Sequence, residues 1–371
     1  MKQKVVQEGV TEQLTREYLS LLLAVQENPF GTIAELAKST GTSKPTVMKR
    51  LKQLKDRRMF VVKPLLNNHA LGFDFVDVLL ETKNLDGAKR LEEVAEKHPY
   101  TSYSGRCYGH VNGTLMQFRT PFGTRLLIHE LVDRLVEEGT VVSCKFFPVQ
   151  DNPSIHTSMQ IEGWNPETMT WEFDWEDWFK KKPKQRRQVV PDTEQGSALR
   201  WFTKKDAHIL YEVMRGARRK NLDILAKIKT NGSIITPQTF SRRYQMIRDE
   251  CFSGYRVTFD SSVFDIYNNV ILVGFGRREY IDEMRARLQS RPIPFQSVMR
   301  TSGENMFWSI RLQSSHLSPV LSNLYANLDR MEISLIDYEF SRLYFVWPGN
   351  FDENNQKWID DRKTMLDDVL K

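Results

Sequence analysis

Residues 36–60 read LAKSTGTSKPTVMKRLKQLKDRRMF. Gly41 divides this stretch into two helical patterns. Before it, Ile33, Leu36 and Ala37 share one face, and Thr32 is placed to cap. After it, Ser43 is a good N-cap and Pro45 is tolerated in the first turn. Val47, Leu51 and Leu54 then recur at helical spacing as a buried stripe. Two helices joined by so tight a turn predict a helix-turn-helix. The side chains left facing outward on the second helix are Lys44, Thr46, Lys49, Lys52 and Gln53, with Arg50 beside the stripe. Residues 43–60 hold seven cations, ending in Arg57 and Arg58, against Asp56 alone. A major groove accepts one helix, and cations on that helix neutralise phosphates. Ser43, Thr46 and Gln53 can bond phosphates or bases. The competing reading of the same pattern is a charged surface helix in a protein-binding adaptor.

Outward from this core, Thr11 to Gln26 carries Leu14, Tyr18, Leu21, Leu22 and Val25 at helical spacing, and Asn28-Pro29-Phe30-Gly31 breaks it. Phe60 to Leu66 reads as a short hairpin, the wing of a winged helix-turn-helix. Strands are expected at Phe75–Glu81, Tyr100–Arg106, Leu115–Arg119 and Val141–Val149, and helices at Leu85–Lys97 and Leu126–Glu138. That order, β-α-β-β-α-β, predicts a ferredoxin-like sandwich. Trp164, Trp171, Trp175 and Trp178 follow, read as an amphipathic strap packed on its own domain. Lys180 to Arg187 (KKKPKQRR) is either a solvated linker or a contact to a DNA backbone.

The second half repeats the first. Leu222–Lys227 matches Ile33–Lys38 at an offset of 189, and Thr239–Asp249 matches Thr46–Asp56 at 193. Four extra residues are therefore expected in the second turn, around Lys229 to Ser233. A second ferredoxin-like set opens at Ile271-Leu272-Val273, with helices at Glu279–Gln289 and Pro319–Met331. Gly163, Glu167 and Trp171 recur weakly as Gly349, Glu353 and Trp358. The chain is an internal duplication. Its expected fold is α+β, with domains at 1–68 (winged helix), 69–152 (ferredoxin-like), 153–200 (strap and linker), 201–260 (second winged helix) and 261–371 (second ferredoxin-like domain). Two fused ferredoxin-like domains can pair their sheets within one chain, as a covalent pseudo-dimer.

The winged-helix segment resembles the Lrp/AsnC family pattern LA-x3-G-x-S-x3-V-x2-R-[IL]-x2-L through Leu36, Ala37, Gly41, Ser43, Val47, Arg50, Leu51 and Leu54. In the second copy Asp206, Ile209, Leu210 and Arg215 match the other end of the pattern. The resemblance implies a transcription regulator that binds double-stranded DNA, forms a homo-oligomer (a dimer of pseudo-dimers) and senses an amino acid or other small effector. It also points to an archaeal source, where the family abounds. It places DNA contacts at Ser43, Lys44, Thr46, Lys49, Arg50, Lys52, Gln53 and Arg57, and weaker ones at Arg242 and Arg243. Effector contacts would fall at Tyr108, Asn112, Gly113, Glu304 and Asn305. Arg58 stands where the family usually has glycine.

Composition agrees with a globular chain: 371 residues, 40% hydrophobic, 27% charged, net charge +6. No apolar run is long enough to span a membrane. Cys107, Cys144 and Cys251 fit neither a disulfide framework nor a zinc site, so a cytoplasmic protein is expected. The seven histidines show no metal-ligand spacing, and no P-loop, nucleophile elbow or dinucleotide fingerprint is present. No cofactor and no enzymatic activity are expected. Sirohaem decarboxylases resemble this chain in architecture, with a basic pocket on the strand that here carries Arg106, Tyr108 and His110. They stand as the alternative, beside the adaptor.

Overall fold

The computed structural model describes residues 14–147, 154–183 and 194–371. Thr11–Gln13, Pro148–Pro153 and the cations Lys184, Arg186 and Arg187 of the basic run lie outside the described residues.

The first unit opens with α1 (Arg16–Glu27), α2 (Ile33–Thr40) and α3 (Lys44–Asp56), followed by β1 (Phe60–Leu66). Local chemistry sets these bounds. Thr32 accepts from the Glu35 amide while the Glu35 carboxylate accepts from the Thr32 amide, a reciprocal cap. Gly41 ends α2 in the left-handed region at φ 62°, and Ser43 caps α3. Leu21, Leu22, Val25, Leu36, Val47, Leu51 and Leu54 are buried together.

The ferredoxin-like unit follows as β2 (Phe73–Glu81), α4 (Leu85–Lys97), β3 (Thr101–Gly109), β4 (Gly113–Pro121), α5 (Arg125–Glu137) and β5 (Ser143–Phe146). The strap comprises β6 (Ile155–Thr157), a hairpin of β7 (Trp164–Asn165) and β8 (Thr170–Trp171), and α6 (Trp175–Lys180). The second half repeats this plan with α7 (Lys204–Met214), α8 (Asn221–Thr230), α9 (Pro237–Met246), β9 (Phe252–Phe259), β10 (Asn268–Phe275), α10 (Arg278–Ser290), β11 (Ser297–Ser302), β12 (Asn305–Leu312), α11 (Ser314–Tyr325), β13 (Arg330–Leu343), β14 (Phe351–Asp352) and β15 (Lys357–Trp358).

The two ferredoxin-like sheets merge edge to edge in the order β5-β2-β4-β3-β13-β10-β12-β11-β6. The sheet curls so that its two halves share an interior, where Leu79, Cys107 and Leu115 meet Ile271, Phe307 and Ile336. The covalent pseudo-dimer expected from the duplication is thus observed.

Four expectations are corrected. Phe60–Leu66 is not a hairpin. It is one strand, paired antiparallel with β9 of the other winged helix, so the two wings complete each other. The register places Lys63 opposite Arg256, and these two are also equivalents at the repeat offset of 193, so the local two-fold axis passes between them. Second, the four extra residues do not all enlarge the turn. Gly41 and Gly232, the left-handed glycines at the ends of α2 and α8, are offset by 191, so two of the extra residues fall before the glycine and two after it. Third, α11 begins at Ser314 and holds Pro319 inside it, and residues 330 onward are strand. A proline read as a helix start sits in the second turn instead.

Fourth, the strap does not pack on its own domain. The Trp171, Trp175 and Trp178 indole N–H groups donate to the Phe264 carbonyl (3.0 Å), His316 Nδ1 (2.9 Å) and the Arg291 carbonyl (2.8 Å), all in the second half. Trp358 reciprocates, donating to the Leu71 carbonyl at 2.7 Å and stacking on Phe73 at 4.8 Å. Each repeat covers the other.

Candidate nucleic-acid interface

Helix α3 presents one uninterrupted outward face. Lys44, Met48 and Lys52, four residues apart, are all exposed, as are Ser43 and Lys49. Lys44, Lys49 and Lys52 make no ion pair among the described residues. Thr46 is half-buried, its hydroxyl 2.8 Å from Ser43 Oγ, so both hydroxyls sit at the helix N-terminus. This end of a helix carries partial positive charge and free amides, and it attracts phosphate.

Three expected contacts are placed differently. Gln53 turns back to α1, where its Oε1 accepts from the Tyr18 hydroxyl at 2.7 Å. Arg50 is half-buried with its guanidinium 5.8 Å over the Tyr18 ring. Arg57 is the C-cap of α3, at the far end from Ser43. A residue that the sequence reading passed over, Met48, lies 61% exposed between Lys44 and Lys52. An apolar residue is normally assigned to the core. The spacing 44, 48, 52 was the signal that it belongs to the cationic face, where it can meet a thymine methyl group.

The second winged helix is built differently. Arg243, the equivalent of Arg50, is spent on structure. Its Nε donates to Asp206 Oδ1 at 2.7 Å, its Nη2 also pairs with Asp206, and Nη2 donates to the Trp201 carbonyl at 2.8 Å. Asp206 is fully buried and also closes the cap of α7 with Thr203. Arg243 is therefore corrected from a DNA contact to a core ion pair. Arg242 alone of the pair is exposed. Lys44, Lys52 and Arg57 are replaced at equivalent positions by Pro237, Gln245 and Glu250.

The two winged helices are held firmly together. Arg218, between α7 and α8, donates from Nη2 to the Gly31 carbonyl at 2.6 Å and from Nη1 to the Pro29 carbonyl. The Ala217 amide donates to the Val62 carbonyl at 2.8 Å, and Phe30 meets Tyr255 edge-on at 4.7 Å. Lys55 is exposed to solvent, yet the protein packed near it pushes its ammonium pKa down, and Arg218 and Lys220 of the second unit add repulsion.

The expected effector residues are not gathered into one site. Asn112 is used by its own turn, its Oδ1 accepting from the Gly109 amide at 3.2 Å. Gly113 has no room, since a Cβ there would collide with the Leu80 carbonyl. Tyr108 is exposed, and the Asn305 amide group reaches only Ser302 of its own hairpin. The Glu304 carbonyl accepts from the Gly276 amide, closing that hairpin against β10. A cleft of about 330 Å³ beside the first turn is lined instead by His110, Val111, Cys144, Lys145 and Glu332, among others. The three residues of the basic strand also diverge. Arg106 pairs with Glu92 and stacks 3.6 Å over Phe340, while His110 lies 3.4 Å from Glu332.

Fold and face together define a protein with a winged helix-turn-helix DNA-binding domain: residues 19–58 match the family described as winged helix-turn-helix DNA-binding. That domain, followed by a ferredoxin-like one, is the Lrp/AsnC-like order implied by the sequence motifs. Over its whole length the chain is similar to the siroheme decarboxylase NirDL: 13% identity, covering 94% of this chain and 98% of that one, with a TM-score of 0.52. NirDL in co-complex with an iron-uroporphyrin III analogue matches over 90% and 95%, also at 0.52. Escherichia coli AsnC is 21% identical over 38% of this chain and 96% of its own, with a TM-score of 0.30. No curated protein sequence matches. The expectation of no enzymatic activity is corrected by these findings, because the structures that match along the entire chain are those of an enzyme. At this identity the likeness is one of fold. None of the described helices is long and apolar enough to cross a membrane.

Proposed function

We propose that this chain is a transcription regulator of the Lrp/AsnC type that reads double-stranded DNA mainly through α3. One observation carries the reading: Lys44, Met48, Lys49 and Lys52 form an exposed cationic face on the helix that the winged-helix motif presents to a groove, and the helix's one acid, Asp56, stands at its C-terminal end. The equivalent face of α9 has lost Lys44 and Lys52, and its Arg243 is committed to Asp206. One strong reading head per chain means that a symmetric operator takes two chains, with half-sites a whole number of helical turns apart. Selection of binding sequences from a random DNA pool by the full chain tests this. Expected is a pool enriched in one half-site, with binding lost in Lys44→Ala/Lys49→Ala and kept in Arg242→Ala. Equal loss in both variants would show that both heads read DNA.

A second reading, an enzyme acting on a tetrapyrrole as NirDL does, is supported by the whole-length likeness of fold. Incubation with sirohaem and mass analysis of the product decides it. Loss of carboxyl groups would establish this reading.

A further inference from the structure

The interior of the curled sheet has two ends of opposite character. One is the apolar cluster around Leu79, Leu115, Ile271 and Phe307. The other lies toward the β1–β9 ribbon and is crowded with cations. Lys63 and Arg256 face each other across the ribbon. Arg119 on β4 and Arg311 on β12 are equivalents at an offset of 192, each four residues along its strand from a member of the apolar cluster, Leu115 or Phe307, and so on the same inner face. The four are thus two pairs related by the local two-fold axis. Their proximity shows in their mutual repulsion. Burial, then Arg256 and Arg311, lower the Lys63 pKa. Burial, then Arg256, push the Arg119 guanidinium down to about 10.

No carboxylate answers these charges. Among the described residues, Lys63, Arg119, Arg256 and Arg311 make no ion pair, and Arg119 Nε is buried without a hydrogen-bond partner. Asp77, a buried acid on the sheet's inner face, is already paired with Arg300 and Gln117. His156 adds no positive charge at neutral pH. Although solvent reaches its ring, the surrounding protein pushes its pKa down to about 4, and Arg300 and Arg256 reinforce this. Aromatic faces complete the wall: Arg119 and Arg300 lie 5.7 and 5.9 Å from the Phe75 ring, and Lys63 lies 5.9 Å from Phe345. Unpaired cations in such a recess are strongly unfavourable, and a counter-anion relieves them.

We propose that this two-fold recess binds a small polyanion, a molecule bearing several carboxylate or phosphate groups. Two symmetric pairs of cations match acidic groups spread about a centre better than a single charge, and Phe75 and Phe345 suit an apolar or planar body. Because Lys63 and Arg256 belong to the ribbon that joins the winged helices, occupancy bears on how α3 is presented. That regulatory role rests on the DNA-binding reading, whereas the binding itself does not.

The test uses the full chain with Lys44→Ala/Lys49→Ala already introduced, so that the DNA-binding face cannot take up the probe. Calorimetric titration with citrate and with tripolyphosphate is compared with sodium chloride at matched ionic strength. Expected is saturable one-to-one binding of at least one polyanion, weakened roughly tenfold or more by Arg119→Gln/Arg311→Gln. Citrate alone would identify carboxylate chemistry, and tripolyphosphate alone phosphate chemistry. In the absence of anion, at low salt, the Arg119→Gln/Arg311→Gln protein should melt higher than its parent, since repulsion is relieved. Lys63→Gln serves as a milder variant if the double change does not fold. No binding beyond the salt control, or equal binding by the variants, would overturn the proposal. Failure to bind DNA would leave this result untouched.

Discussion

Arg58 occupies the left-handed region at φ 56°, one residue past the C-cap of α3. The Met59 amide donates to the Leu54 carbonyl at 3.0 Å and the Arg58 amide to the Lys55 carbonyl at 2.9 Å, the closing bonds for which glycine is preferred. Arg58→Gly removes a steric cost of about 1 kcal/mol and adds roughly 0.5–1 kcal/mol of unfolded-state entropy. Expected is a melting temperature unchanged or slightly higher. A clear drop would mean that the arginine side chain contributes contacts of its own. His98 gives a pH dependence. It is fully buried, its Nδ1 accepting from the Tyr100 amide at 3.2 Å, and desolvation pushes its pKa down to about 3. The folded state therefore refuses a proton that the unfolded state takes up. Its contribution is intact above the ordinary histidine pKa and is lost as pH falls below it. At pH 5 the loss amounts to roughly 2 kcal/mol. Urea midpoints measured at pH 7 and pH 5 should fall accordingly, and His98→Gln should flatten the difference.

Helices α3 and α9 share a scaffold and differ in what their cations do. Arg243→Ala leaves Asp206 buried and unpaired, so destabilisation of about 3–5 kcal/mol is expected. Arg242→Ala, on the exposed face, should stay within about 0.5 kcal/mol. Chemical denaturation of the two variants checks this; a small cost for Arg243→Ala would show that Asp206 finds another partner. The outward face of α3 makes the opposite forecast. Its lysines should change DNA affinity and not stability. If three to six cations touch phosphate, the logarithm of the binding constant falls against the logarithm of salt with a slope of roughly −3 to −6. Each phosphate contact removed should reduce that slope by about 1. A response independent of salt would instead favour a protein-binding adaptor.

The halves of the molecule are exchanged at three places. The wings pair as β1–β9, the sheets join as β3–β13, and each tryptophan strap lies on the opposite repeat. Each half leaves part of its apolar surface to be buried by the other. Expressed as separate chains, residues 1–193 and 194–371 should each be poorly soluble, yet co-purify as a one-to-one complex when produced together. Two well-behaved monomers by size-exclusion chromatography would show that the exchanged contacts are dispensable.

Much of this molecule is local, and the sequence alone determined it. Caps at Thr32, Ser43 and Thr203, the stripe Val47, Leu51 and Leu54, and the duplication all depend on neighbours within a few residues or on comparison of one half with the other. Helix α4 was legible to its ends from its apolar period, and Asn84 caps it in the structure. The cationic face of α3 was legible for the same reason, since helical spacing alone fixes which side chains oppose the stripe. Only the tertiary structure decided who pairs with whom. Phe60–Leu66 alternates in burial as any strand would, and nothing in it distinguishes folding back on itself from pairing with Phe252–Phe259. Gln53 looks outward by spacing and Arg243 lies beside the stripe, but Tyr18 and Asp206 draw them in, from 35 and 37 residues away. The strap's tryptophans had to be covered, and their period could not say by which half. Hydrophobic burial is non-directional, so a sequence specifies that a surface must be hidden, and the packed molecule decides what hides it.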